Sequence, residues 1–403
     1  MAFTLQNNIT KLYASNFLTG LVFWYATEKL FMQSIGLSSF DIALNAVVFL
    51  AITVLFDVPS GVLADKWKRK YTLLLAIVCL ALCHSILGTS STLPIYLVGT
   101  ALYGAYVTLT YGTFQAMMYD SLAELGQEKE YDKHQGRAFA LFFTGIGVSS
   151  LAGGYIGEFI GLRETYLYSL LPALLAAIVI LSTREPKFHK ENFDANMWKH
   201  IKTSLAIIAA QPLVFHLAMF MIVSGLLRST QNEFGGLYYL GLGLSAVAMG
   251  YANAGKWIAS ALGQFAAHYV GRDRAFTLLP WFFIAYLAFS LITNASGIVF
   301  FMVAACLYSL VTNQAEATIQ GATPSHVRAT TISIISFLTN VVMIPLSLAF
   351  GWVAQNNTPF QAFQVFGVIG IGYAAIWLLL GRRHVRAAHA AATGPAADIE
   401  LIK

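Results

Sequence analysis

The sequence predicts an all-α integral membrane protein with twelve transmembrane helices in two pseudo-symmetric six-helix halves. Three observations carry this. The 403-residue chain is 57% hydrophobic and 11% charged, with a mean hydropathy of +0.66, whereas soluble domains carry about 25% charged residues. Apolar runs of the roughly 20 residues that cross a bilayer as a helix recur twelve times. The basic residues collect in alternate connections, as the positive-inside rule requires.

In order, the runs lie near 12–34, 41–61, 71–90, 94–118, 138–160, 164–182, 205–227, 243–266, 275–293, 297–318, 330–352 and 361–380, with the seventh extending toward 238. With the N-terminus in the cytoplasm, 20 of the 24 Lys and Arg fall inside: Lys11, the 66–70 cluster, Lys129, Lys133, Arg137, the 184–202 segment, Arg272, Arg274, Arg328 and the C-terminal basic residues. Lys29 and Lys256 lie within spans, Arg163 in an outer loop, and Arg228 near the outer part of span 7. Both termini are therefore expected in the cytoplasm. "MAFTLQNNITKLYASNF" runs straight into a full-length apolar segment, so no removable signal peptide is expected.

The charged connection "TREPKFHKENFDANMWKHIK" has six spans on each side. It divides the chain into a first half (1–183), a linker (184–204), a second half (205–385) and a tail (386–403). Traces of a repeat support the division. "IGLSSF" at 35–40 follows span 1 and "LGLSAV" at 242–247 follows span 7, with their Gly-Leu-Ser triplets 207 residues apart. Gly61 has a counterpart in Gly263, and basic residues follow both, "KWKRK" and "GRDR". Repeats of this kind place a substrate site near the midplane, between the halves.

Several classes are excluded. The net charge of +5 is explained by its distribution, so no nucleic-acid partner is implied; the expected surroundings are a lipid bilayer. Cys79, Cys83 and Cys306 all lie in apolar runs and imply neither disulfides nor a metal. "GYANAGK" ending at Lys256 imitates a phosphate loop, but Trp257 replaces the hydroxyl residue and no strand precedes it. No cofactor is expected.

One stretch is denser in polar residues than its surroundings: "DVPSGVLADKWKRK", Asp57 to Lys70. Pro59 and Gly61 are expected to bend or close the helix there. "GVLADKWKRK" resembles the 2–3 loop signature of the major facilitator superfamily, Gly-x-Leu-Ala-Asp-Arg-x-Gly-Arg-Lys. Gly61, Leu63, Ala64, Asp65, Arg69 and Lys70 match, Lys66 stands for Arg, and Lys68 stands for Gly. "DVPSG" resembles the lead-in of many bacterial exporters of that superfamily. The resemblance implies a charge-relay latch on the cytoplasmic side, in which Asp65 and Arg69 gate, Asp120 in "YDSL" is a partner, and Asp57 and Gly61 belong to the same element. Two further signatures match in part. In span 5, "GIGVSSLAGG" keeps Gly145, Gly153 and Gly154 of the antiporter pattern but has Ser149 and Ser150 in place of Gly-Pro; in span 4, Thr100 stands where the pattern has Arg.

Ionisable groups inside spans are costly and are functional hypotheses by default. Glu28 lies in span 1 beside Lys29, with Lys29 expected to snorkel outward while Glu28 faces the cavity. Glu233 lies near the outer end of span 7, Glu316 near the inner end of span 10, where Arg328 is a possible partner, and Lys256 in span 8 as a possible counter-ion. Tyr25, Asn45, Gln115 and Asn313 are candidates for the cavity wall. Packing explains His84 and His216, and most of the aromatic residues. Burial disfavours the charged form of a carboxyl, so an acid here is suited to take up a proton on one side and release it on the other. These residues, with the resemblance, imply a monomeric secondary transporter of the bacterial inner membrane, working by alternating access. The expected reaction is proton-coupled efflux of small amphipathic or drug-like compounds. Uptake or efflux of a sugar or other metabolite is the alternative, and a lipid-moving protein a remoter one. An enzyme is not expected.

Overall fold

The computed structural model describes residues 5–186, 197–324 and 327–381, and their regular structure is helical throughout. The helices are α1 Leu5–Gly20, α2 Glu28–Ser34, α3 Ser39–Lys66, α4 Arg69–Thr89, α5 Leu93–Thr110, α6 Thr113–Glu124, α7 Tyr131–Phe159, α8 Leu162–Tyr168, α9 Leu170–Leu181, α10 Met197–Ala210, α11 Pro212–Gly241, α12 Ala246–Val270, α13 Arg272–Leu291, α14 Gly297–Ala322, α15 Arg328–Asn356 and α16 Pro359–Ile376. The 386–403 tail and residues 187–196 of the linker lie outside the described residues.

Among the described residues, ten segments are long and apolar enough to cross a membrane. The other two expected spans depart for identifiable reasons. α12 is continuous over 25 residues, but its Asn253, Lys256, Ser260, Gln264 and His268 dilute its hydropathy. Span 1 was expected as one helix over 12–34 and is interrupted: α1 stops at Gly20 and α2 starts at Glu28. Span 4 is also divided, where Gly112 adopts φ +20° between α5 and α6. Pro59 does not end its helix, because α3 runs through it to Lys66. The turn that follows is made with Lys68 in extended geometry, φ −70° and ψ 132°, so no glycine is needed there.

α9 shows how these helices divide between lipid and protein. Leu171, Leu174, Ile178 and Leu181 are exposed at helical spacing, while Pro172, Ala173, Ala176 and Ile180 are buried. The buried face joins a core of Leu12, Leu73, Ile77, Met117, Leu122 and Ala138.

The two Gly-Leu-Ser triplets are equivalent helix stops. Gly36 (φ +85°) and Gly243 (φ +70°) both adopt left-handed geometry. Leu37 N–H donates to the Met32 carbonyl (3.0 Å) and Leu244 N–H to the Tyr239 carbonyl (3.2 Å), the six-to-one bond of a Schellman cap in each case.

The described chain falls into two compact units. One contains residues 1–193, 233–257 and 344–356; the other contains 194–232, 258–343 and 357–403. In the first unit, α7 meets the interrupted span at backbone contact. A Cβ on Gly145 would lie 2.7 Å from the Phe17 carbonyl oxygen, and one on Gly153 would lie 1.8 Å from that of Phe23. Only glycine allows this approach. Gly153→Ala is therefore expected to destabilise the protein by about 1–3 kcal/mol, whereas Gly147→Ala on the same helix, with nothing within 4 Å, leaves stability unchanged. Thermal unfolding of the two variants in detergent checks the contrast.

Candidate functional site

The interruption of span 1 creates the site. Seven residues, Leu21 to Thr27, leave the helical ladder, and every broken backbone bond in an apolar setting needs another partner. Phe23 N–H donates to Ser169 Oγ (3.0 Å), Thr27 N–H to the Trp24 carbonyl (3.0 Å), and Ser149 Oγ–H to the Gly20 carbonyl (3.3 Å). Ser149 and Ser150 thus have their own tasks where the family pattern has Gly-Pro, since Ser150 Oγ accepts from Asn253 Nδ2 (2.8 Å).

Beyond the break, Glu28 opens α2. Its Oε2 lies 2.7 Å from Lys29 Nζ, and the side chains are 19% and 6% exposed. Lys29 does not snorkel outward as expected. The pair sits on the first turn of a new helix. Glu28 Oε1 accepts from Tyr96 O–H (3.4 Å), whose oxygen is 3.0 Å from the Tyr166 hydroxyl. Trp24 stacks on Tyr166, with ring centroids 5.2 Å apart and planes 8° apart, and its Nε1–H donates to Nδ1 of buried His84 (3.0 Å). Tyr25 and Tyr103 share a hydroxyl hydrogen bond, and Thr100 donates to buried Asn45. Removing one partner from a buried ion pair costs about 3–5 kcal/mol, so the Glu28–Lys29 pair is held by what surrounds it.

Two more charges belong to this unit. Glu233, on α11, lies in the electrostatic field of Lys29, Glu28 and Lys256. Lys256 is buried, with Nζ 4.6 Å from the centroid of the Trp257 ring. Gln115 is half-buried on α6. In the second unit, Glu316 accepts from Gln320 Nε2 (3.0 Å), and Arg328 reaches the Thr323 carbonyl (3.5 Å); the expected Glu316–Arg328 pair is not formed. Asn313 is exposed. Arg228 is buried, donating to Ser260 Oγ (2.9 Å) and lying 5.7 Å from the centroid of the Tyr308 ring.

The second cluster lies where the basic stretch follows α3. Arg69 and Asp120 form an ion pair, Nε to Oδ2 2.8 Å, with side chains 11% and 13% exposed. Asp57 is exposed, and the side chains of Gly61 and Asp65 lie outside the described residues. Sequence reasoning missed Glu185. Its carboxylate accepts from the backbone N–H groups of Arg69 (2.7 Å) and Lys70 (3.0 Å), capping α4 where its dipole favours an anion. Lys70 Nζ in turn donates to the carbonyls of Leu181 (2.6 Å) and Thr183 (2.9 Å) at the end of α9. Asn8 exchanges two bonds with the Arg184 backbone, tying α1 to the same corner. The available signal was an acid next to Pro186 just past a helix end. Tyr96 and Tyr166 were also missed, because interfacial tyrosines have the same sequence appearance.

The family model for the Major Facilitator Superfamily matches residues 12–347. The chain belongs to this superfamily. It is a membrane transporter and not an enzyme, and its fold is the major facilitator fold. It is 24% identical over 367 residues to the tetracycline resistance protein, class B, of Escherichia coli, covering 85% of this chain and 87% of that one. Solved structures share the fold. A nucleoside transporter, NupG, superposes with a TM-score of 0.73 at 14% identity over 92% of this chain and 98% of that one. A D-xylose–proton symporter gives 0.70 at 14% over 92% and 96%.

Glu185→Ala is expected to cost about 1 kcal/mol by uncapping α4, with Glu185→Gln intermediate because it retains an acceptor. Thermal unfolding of the purified variants checks the order.

Proposed function

We propose that this chain exports small amphipathic or drug-like compounds in exchange for protons. It works as a monomer in a bacterial inner membrane, with both termini cytoplasmic and the proton gradient, rather than a cofactor, as the driving force. The observation that carries this reading is the buried Glu28–Lys29 pair, set among hydroxyls and aromatic rings at a break in a membrane span. A charge held at such cost is a functional device. Protonating Glu28 dissolves the pair, and losing the proton restores it, so occupancy of Glu28 and arrangement of the surrounding helices are linked. Substrate that competes for the proton-free state moves outward as protons move inward. The Arg69–Asp120 ion pair is suited to being made in one conformation and broken in the other, as a latch between helices on the cytoplasmic side of the half 1–183, which the linker separates from 205–385. The relationship to a tetracycline resistance protein supports export of a drug-like compound.

A second reading, movement of a sugar or other metabolite, draws on the Asn45–Thr100 hydrogen bond. It puts an amide and a hydroxyl where the family pattern has Arg, which suits a neutral, hydroxyl-rich substrate.

Proteoliposomes loaded with a pH dye test the proposal against lipophilic cations, sugars and amino acids. Proton movement evoked by an amphipathic compound and lost in Glu28→Gln is the expected result. Substrate movement with no proton signal, unchanged in Glu28→Gln, contradicts it.

A further inference from the structure

The Gly235-Gly236 pair on α11 is unexplained by the function above, and it lies one helical turn beyond Glu233. Gly236 receives the stem of Lys29: a Cβ there would come within 2.6 Å of Lys29 Cγ and 2.9 Å of its Cβ. These are inner atoms of the side chain, so they cannot swing aside without moving the ammonium. Glu233 and Gly236 share one face of α11 by their i, i+3 spacing. Lys29, already 2.7 Å from Glu28, is the charged group that acts most strongly on Glu233, ahead of Glu28 and Lys256. The Lys29 stem therefore passes the face of α11 that carries Glu233, while its ammonium is paired with Glu28. Lys256, over the Trp257 ring, balances the second acid. The other titratable groups that act on or face Glu28 are the hydroxyls of Tyr25, Tyr96 and Tyr166 and the thiol of Cys83.

We propose that Lys29 is a cation shared by Glu28 and Glu233, and that Gly236 is the notch that delivers it to both. A proton on Glu28 frees the ammonium for Glu233, and a proton on Glu233 commits it to Glu28. Lys29 is thus a positioning residue that couples the two acids. The proposal rests on Glu28 being the titrating group of the function above, and its test needs no transport.

The test is thermal unfolding of the purified full-length protein between about pH 5 and pH 8. Lys29→Met leaves two carboxylates with too little positive charge. Its melting temperature should fall by on the order of 5 °C at the alkaline end and by less at the acid end, where protons replace the ammonium. Adding Glu233→Gln should recover part of the loss, Gly236→Ala should reproduce the pH slope, and Lys29→Arg should abolish it. A Lys29→Met loss that is equal at every pH, or is unaffected by Glu233→Gln, overturns the proposal. If the slope is present while proteoliposomes show no proton exchange, the transport reading fails and the shared cation stands. If exchange is present without the slope, the shared cation fails alone.

Discussion

The largely buried ion pair between Glu28 and Lys29 is the interaction on which the site depends, and it opens the helix that follows the break in span 1. The helical ladder stops at Gly20 and restarts at Glu28, which places the acid at the first position of α2, within reach of the Tyr96 hydroxyl. The break has structural conditions of its own. Its backbone groups bond to Ser169 and Ser149, and its carbonyls lie against the glycine face of α7. Glycines that in the family pattern read as an antiporter signature therefore have a direct physical task, because a methyl group on Gly153 would displace the non-helical segment, at Phe23, that precedes the acid.

The far corner of the same unit is organised by a different principle. There the ends of α4, α6 and α9 and the start of α1 are joined by charges placed at helix termini. A carboxylate sits at the N-terminus of α4, an ammonium at the C-terminus of α9, and an arginine reaches across to Asp120. The two contacts at helix ends are each of the kind that favours a terminus by about 0.3–1 kcal/mol. Contacts this modest, acting together, are suited to being made and released in turn, whereas a single deep interaction would lock one state. The buried cluster and this corner thus match the two demands on a carrier, a charge that answers to protons and an element that switches.

Much of this was legible in the sequence. Composition and charge placement gave the membrane class, and the two Gly-Leu-Ser triplets marked helix stops that the structure makes with the same six-to-one bonds. Glu28, Lys29, Glu233 and Lys256 were visible as ionisable residues inside apolar runs, and Asp120 was named beside Arg69 on the strength of the signature. The interruptions were not legible. A hydropathy window is blind to whether Leu21 to Thr27 is helical, since the same apolar residues suit either geometry. Pro59 misled in the opposite direction, because a proline that loses one bond is tolerated in a 28-residue helix. Lys29 looked mobile because snorkelling is the usual fate of a lysine in a span. Its burial depends on Gly236, more than two hundred positions away, a partnership that only the fold discloses.

The central claim is that Glu28 and Lys29 form the ion pair that answers to protons. The infrared difference spectrum between the wild-type protein and Glu28→Gln, recorded in membranes at neutral pH, reads that state directly. The account predicts that the substitution removes a carboxylate band and that lowering the pH converts it into a protonated-carboxyl band. Loss of a protonated-carboxyl band at neutral pH would contradict it, since a neutral Glu28 has no charge to share with Lys29 and no pair to dissolve.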